Sequence, residues 1–361
     1  MFLALKTGSS IGILIFLMVH LAYPDNVCQQ DETCVRLQDC PQVYVAVKTN
    51  RLSRATKREI LNNWRCGSSV RKQKLHHRTI CCPEPADILP RLSACGQMKM
   101  TFRIMGGTEP DLNQYPWLTM LLYRNLSTPR RKLVPGCSGS LINTRYVLTA
   151  AHCVTNANMN LRRVRLGEHN TSQNPDCINV GASRRCAPPH LDIDVESVTS
   201  HEDYDPAKFT LHNDVALVRL QVAVRYTVAV HPICVPDDHI SQRNFKFRVA
   251  GWGRTGMSSD GSDVLQHALL KEQNPRTCSQ FYAHWHFQPQ SQICAGGLDA
   301  MSTCDGDSGS PLMGIAGRGY DEYTFLAGIV SYGRSCGQSA YPAVFTRTAT
   351  FFKWTLEHLK P

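Results

Sequence analysis

The 361-residue sequence predicts an all-β fold, a sandwich or barrel, preceded by a small disulfide-stapled module. Three observations carry that expectation. Short apolar runs recur between Gly, Pro, Asn and Asp along residues 104–361, the pattern of strands joined by turns. The cysteines number 16, an even and dense count that implies disulfides and an oxidising compartment. Six of the 16 lie within residues 28–82, a segment too small to hold a good core without staples. Zinc is the competing use of cysteine, but no Cys-x-x-Cys pair occurs and the histidines lack ligand spacing.

At the N-terminus, Lys6 precedes the apolar run 11–22 and the polar Tyr23-Pro24-Asp25-Asn26. That is the layout of a signal peptide, so residues 1–24 are expected to be removed, with the cut between Ala22 and Asn26. The run is shorter than the roughly 20 residues that span a bilayer, and no other stretch is long and apolar enough. The expectation is a secreted, extracellular protein with no membrane span. Asn125-Leu126-Ser127 and Asn170-Thr171-Ser172 then become candidate glycosylation sites.

The six-cysteine segment is followed by residues 83–103, which contain three prolines, show no periodicity and read as a linker holding Cys95. Between Lys48 and Arg78 the chain carries ten Lys or Arg and one acid, Glu59, against a net charge of +10 for the whole chain. A run like this is either a solvated face or a docking surface for an acidic partner. Nucleic acid is excluded, since no binding motif accompanies the charge and the chain is read as extracellular. Downstream, "SLINTRYVLTA", "DVALVRL", "FRVAGWG", "FLAGIVSYG" and "AVFTRT" each read as a strand. Only "TATFFKWTLEHLK" has helical spacing, with Phe351, Trp354 and Leu359 on one side.

Three polar residues stand out in this frame. His152 closes an apolar run in "TAAHC", Asp214 precedes a strand in "HNDVALVRL", and Ser308 sits in the turn "GDSGSP". Singly, each has a plain reading as a half-buried histidine, a cap or a turn serine. Together they supply a poor nucleophile, the base it needs and the acid that fixes the base's tautomer.

With "RIMGG", "YPW", "GSLI", "VLTAAHC", "NDVALVRL", "GWG", "CDGDSGSPL" and "GIVSYG", residues 104–361 resemble a chymotrypsin-like serine protease domain over their whole length. Residues 28–82, with six cysteines ending in an adjacent pair, resemble a clip domain. The chain is thus similar to arthropod clip-domain serine proteases, secreted zymogens of proteolytic cascades in innate immunity, melanization or Toll-type signalling. The resemblance implies two β-barrels with a C-terminal helix, and a triad of His152, Asp214 and Ser308. It implies the pairs Cys28–Cys81, Cys34–Cys66, Cys40–Cys82, Cys137–Cys153, Cys278–Cys294 and Cys304–Cys336, with Cys177–Cys186 closing a surface loop. Cys95 and Cys234 would then tie the linker to the protease.

The resemblance also implies activation by cleavage of Arg103–Ile104. The freed ammonium of Ile104 would pair with Asp307 and order the Gly306 and Ser308 N–H groups as an oxyanion hole. Ser302 falls at the floor of the S1 pocket, with Gly333 and Ala343 as its walls. Most activating relatives carry aspartate at the floor and glycine where Ala343 stands, so apolar residues before the cut are expected; trypsin-like specificity is the alternative. Ser310 replaces a usual glycine. No cofactor is required for the chemistry. Glu168, Asn170, Asp176 and a carbonyl near Gln173 resemble a calcium loop, against which stands a plain polar loop. Implied partners are an upstream trypsin-like activating protease, a downstream protein substrate and a serpin-type inhibitor. The contrasting reading is a catalytically weak scaffold of the same family.

Overall fold

The computed structural model describes residues 28, 32–48, 52, 54–67, 77–83, 88–97, 109–126, 133–181, 183–208, 210–237, 246–254, 261–297, 306–333 and 341–361. The expected signal segment, Arg103, Ile104, Ser302, Cys304 and Cys336 lie outside these residues. Among the described residues no helix is long and apolar enough to cross a membrane.

The N-terminal module is a two-stranded antiparallel sheet, β1 (Glu32–Arg36) with β2 (Thr79–Pro83), and two helices between them, α1 (Pro41–Lys48) and α2 (Arg54–Asn63). Its helices were not foreseen from the sequence, yet their apolar spacing is regular. Val43, Ala46 and Val47 line one face of α1, and Thr56 and Ile60 of α2 lead on to Trp64; all are buried. Such a module cannot bury enough surface to stand alone. Three disulfides, Cys28–Cys81, Cys34–Cys66 and Cys40–Cys82, cross-link it.

The remainder forms two closed six-stranded barrels. The first takes the order β10-β5-β4-β3-β6-β9 from β3 (Leu118–Asn125), β4 (Val134–Leu141), β5 (Tyr146–Thr149), β6 (Met159–Leu166), β9 (Leu191–Ser200) and β10 (Ala216–Leu220). A disulfide-closed hairpin, β7 (Cys177–Val180) with β8 (Ser183–Cys186), projects between β6 and β9. The second takes the order β11-β12-β13-β16-β15-β14 from β11 (Lys246–Gly251), β12 (Gln266–Glu272), β13 (Gln292–Gly297), β14 (Pro311–Ala316), β15 (Tyr323–Tyr332) and β16 (Ala343–Arg347). Closure leaves no sheet edge to protect. Phe247, Phe325 and Phe345 fill the second barrel. Helix α3 (Pro275–Phe281) starts at an N-cap, Asn274, whose side chain accepts from Arg276 N. The expected C-terminal helix, α4 (Phe352–His358), follows a 3-10 turn and buries Phe351, Trp354 and Leu359.

The module is seated on the first barrel. Leu37, Ile60 and Trp64 join one apolar cluster with Leu121, Val164 and Ile193. Thr56 Oγ1 donates to Asp192 O of β9 at 2.9 Å. The Glu32 carboxylate accepts from Arg225 Nε at 2.6 Å and Nη2 at 2.8 Å, with side chains only 5% and 15% exposed. The segment read as a linker is packed at its described residues, 88–97. Asn143 Nδ2 donates to Ile88 O, Gly96 N to Pro232 O, and Thr324 N to Gly96 O, beside the Cys95–Cys234 disulfide. Gly96, at φ 63°, is obligatory there, since a Cβ would lie 2.0 Å from Thr324 O.

The Glu32–Arg225 pair gives a direct stability test. Removing one partner strands the other charge in a buried site, which typically costs 3–5 kcal/mol, whereas replacing both with apolar groups is close to neutral. Glu32→Ala should therefore lower stability by about 3 kcal/mol in urea unfolding of the oxidised protein. The double variant Glu32→Leu/Arg225→Met should recover most of that loss.

Candidate active site

The site forms where the barrels meet, and each barrel contributes to it. His152 lies on a 3-10 turn, Ala151–Cys153, directly after β5, and the Cys137–Cys153 disulfide ties that turn to β4. Asp214 precedes β10 in a tight turn in which Leu211 and Asn213 adopt φ of 46° and 56°. Non-glycine residues are rare in that region and mark sites held by their surroundings. Ser308 leads into β14 and is pinned from both sides. Ser138 N of the first barrel donates to Ser308 O at 2.8 Å, and Gly309 N donates to Val330 O of the second at 3.0 Å. Gly309, at φ 79°, leaves no room for a side chain: a Cβ would lie 2.3 Å from both Ser138 O and Thr149 Oγ1.

Asp214 is fully buried and satisfied on every side. His152 Nδ1 lies 2.8 Å from its Oδ2, His152 N donates to Oδ1 at 2.9 Å, and Ser331 Oγ donates to Oδ2 at 2.6 Å. Thr346 Oγ1 holds the Asp214 carbonyl at 2.8 Å. Burial alone would raise the carboxyl's pKa, but the His152 charge and these hydrogen bonds hold it below the ordinary value. For His152, burial alone would lower the pKa; the charge and hydrogen bond of Asp214 outweigh that and raise it. Nε2 lies 3.7 Å from Cys153 Sγ. Among the described residues no hydrogen bond joins Nε2 to Ser308, a contact that in free enzymes often closes only with substrate. A hydroxyl brought to Nε2 would thus meet a base whose other nitrogen is already fixed to a carboxylate.

Other expected site residues fall around this centre. Gly306, at φ 97°, starts the turn that carries Asp307 and Ser308. Asp307 Oδ1 accepts from Gly253 N at 2.9 Å, over two glycines, Gly251 and Gly253, whose Cβ atoms would collide with the carboxylate. Gly333 and Ala343 are neighbours, with Ala343 Cβ 3.5 Å from where a Gly333 Cβ would be. Ser331 and the Gly251–Gly253 cradle went unrecognised in sequence, although "SYG" and "GWG" contain them. Their roles depend on contacts 117 and 54 residues away.

Away from this centre, Glu168 and Asp176 are drawn together, and both accept from His169 N, at 3.0 and 2.8 Å. Burial first, then the Glu168 charge, raises the Asp176 pKa. Arg165 Nη1 sits 3.1 Å and His190 Nδ1 3.2 Å from Glu168 Oε2, Asn170 Oδ1 accepts from Ser172 N and Oγ, and Gln173 is exposed. Arg165 and His169 N thus engage the Glu168 carboxylate, and His169 N and Asn170 N that of Asp176. Asn125, the other candidate glycosylation site, ends β3 and is half-buried.

Seven disulfides join described cysteines, the seventh being Cys278–Cys294. The His152–Asp214 arrangement yields a pH test. General-base action needs neutral imidazole, so activity should fall as pH drops through the raised His152 pKa, at a midpoint above the usual value of about 6.5. Asp214→Asn should lower kcat about 10⁴-fold near neutral pH and move that acid limb downward. Both are read from kcat/KM profiles on a peptide ester.

A trypsin family model matches residues 104–355. The chain is 36% identical to the Spaetzle-processing enzyme of Drosophila melanogaster, over 92% of this chain and 90% of that protein. It is 37% identical to phenoloxidase-activating factor 3 of Holotrichia diomphalia, over 78% of this chain and 80% of that one. The crystal structure of the Drosophila Grass clip serine protease of the Toll pathway matches with a TM-score of 0.66 and 30% identity, covering 92% of this chain and 96% of that chain. With a match that takes in both barrels, and relatives similar over most of its length, the chain belongs to the trypsin family and is a serine-type endopeptidase, similar throughout to the clip-domain proteases.

Proposed function

We propose that the chain is the secreted zymogen of a serine endopeptidase acting in an extracellular proteolytic cascade. Its parts are a signal peptide (1–24), a clip domain (28–82), a linker (83–103) and a protease domain (104–361). The observation that carries this reading is the buried Asp214 bound to His152 at the barrel junction where Ser308 is pinned. Relatives named for processing Spaetzle or activating phenoloxidase support the cascade role.

In this reading a trypsin-like protease cuts Arg103–Ile104. The Ile104 ammonium then pairs with Asp307, and the loop turns the Gly306 and Ser308 N–H groups toward the developing oxyanion. Each such donor is typically worth about 100- to 1000-fold in rate. Ser308 attacks, His152 takes its proton and returns it to the leaving amine, and Asp214 stabilises the imidazolium. The natural substrate is a downstream protein, and a serpin-type inhibitor would limit the activity.

Activation is testable directly. The intact chain should be nearly inert, trypsin-like cleavage should switch it on, and Arg103→Gln should block the switch. Ser308→Ala should abolish both peptide cleavage and labelling by a serine-directed phosphonate. The cut protein should run as one band without reductant, through Cys95–Cys234. Absence of labelling in the cleaved wild type would reject the protease reading for this chain in favour of a scaffold.

The pocket reading makes a separate prediction. An uncharged floor at Ser302 leaves a buried Lys or Arg cation uncompensated, a penalty of several kcal/mol. An apolar side chain gains roughly 25 cal/mol per Å² buried. Ala343 adds a methyl group that narrows the pocket. Peptide libraries should be cut after Leu or Met in preference to Arg or Lys, and Ser302→Asp should shift cleavage toward Arg. Predominant cleavage after Arg or Lys by the wild type would refute this.

A further inference from the structure

The turn that carries Asp214 to His152 is strained, and the strain has an identifiable support. Four non-glycine residues among the described ones have left-handed backbone. Three of them, Leu211, Asn213 and His286, lie on the two sides of a single contact, in which His212 Nε2 meets His286 O at 2.8 Å. Such backbone persists only where its surroundings over-determine it. Each residue of the turn is fastened separately. Asn213 Nδ2 donates to Asp203 O at 3.3 Å. Leu211 packs against two apolar clusters, one with Ala151 and Ala216 of the first barrel and one with Tyr332 and Val344 of the second. His212 reaches His286, which ends the 3-10 turn Ala283–Trp285. Trp285 of that turn stacks on Tyr332, with ring centroids 4.4 Å apart and planes 32° apart. Tyr332 directly follows Ser331, the donor to Asp214 Oδ2. The second barrel thus meets Asp214 along two routes, one through Ser331 and Thr346 and the other through Tyr332, Trp285, His286 and His212.

We propose that His212 is a positioning residue for the triad: by donating from Nε2 to the His286 carbonyl it clamps the turn 211–213 to the second barrel and fixes the Asp214 carboxylate against His152. A carbonyl only accepts, so Nε2 bears the hydrogen. The neutral Nε2–H tautomer and the imidazolium both supply it, so the clamp stays closed as pH changes. Thr346 holds the Asp214 carbonyl, on the C-terminal side of the residue. On the N-terminal side the hold comes from this turn, where Val215 N donates to Asn213 O at 2.8 Å. Releasing His212 therefore frees one end of the backbone that aims the carboxylate. His212 acts through Asp214 and not on the reacting atoms. The inference rests on the protease reading of Ser308.

The test uses the full chain after trypsin-like activation, with kcat and KM measured against pH on a peptide ester. His212→Ala and His212→Phe both remove the donor, the second while keeping a ring. His212→Gln keeps an N–H donor at similar reach. One hydrogen bond is worth about tenfold, so both donor-less variants should lose about tenfold in kcat with KM little changed. Their acid limb should move down toward the usual histidine value of about 6.5. Removing a neighbouring imidazolium would by itself move that limb upward, so a downward shift reports a weakened Asp214–His152 contact. His212→Gln should stay within about threefold of the wild type, with its acid limb unmoved. An acid limb that stays in place in the donor-less variants, or a His212→Gln as slow as His212→Ala, would assign His212 to packing and overturn the inference. Should His212→Ala fail to fold, the comparison of His212→Phe with His212→Gln decides the matter. A cleaved wild type that a serine-directed phosphonate never labels removes the protease reading and this inference together. An active wild type with unchanged variants removes the inference alone.

Discussion

A carboxylate without access to water organises this molecule. Asp214 is fully buried, and an isolated charge there is untenable unless the protein supplies donors. The donors come from separate places: His152 from the turn after β5, and Ser331 from β15 of the other barrel. The backbone carbonyl of Asp214 is held by Thr346 of β16. Satisfying one side chain thus requires both barrels closed and docked in register. Trp117 Nε1, which reaches Met313 Sδ of β14 at 3.2 Å, fastens the same junction through its core. The nucleophile's turn then needs no independent anchor, because Ser138 and Val330 already flank it.

The barrel region was largely legible because its strands alternate sharply with turn residues and its chemistry sits in compact strings. "TAAHC", "NDVALVRL" and "GDSGSP" each place a reactive side chain at the end of a strand or in a turn, a signal that local pattern carries. What was illegible is of another kind. Ser331 looks like any strand serine until Asp214 is brought against it, and Gly253 looks like a turn glycine until Asp307 occupies its Cβ position. Helix α2 of the N-terminal module was hidden by a basic run whose apolar stripe is only a few residues long. The stretch around Gly96 reads as linker because its partners, Pro232 and Thr324, are backbone groups far along the chain. The oxygen-rich string around Glu168 reads as either a calcium loop or a plain polar loop, and what the string does not show is that Arg165 and His169 engage its acids.

Stability and chemistry are divided between different parts of the chain. The module relies on three disulfides and on its seat against β9 and Arg225, since its own core is small. The barrels rely on closed hydrogen-bonded sheets packed around Phe247, Phe325 and Phe345. Neither arrangement burdens the strand ends and turns where the reactive groups lie. Left-handed backbone occurs there, in Leu211 and Asn213 before Asp214 and in Gly306 and Gly309 around Ser308.

The Cys95–Cys234 bridge has a consequence for recognition. It is anchored where Gly96 is clamped between Pro232 and Thr324, so the N-terminal module stays covalently joined to the second barrel when the chain is cut beyond Cys95. A macromolecule that touches the module therefore meets the catalytic cleft at an effective concentration set by tether geometry and not by bulk dilution, on the order of millimolar for a short connection. Weak contacts on two faces multiply in that arrangement. Selectivity for a large substrate can then reside in its overall shape, leaving the few residues at the scissile bond to contribute only part of the discrimination.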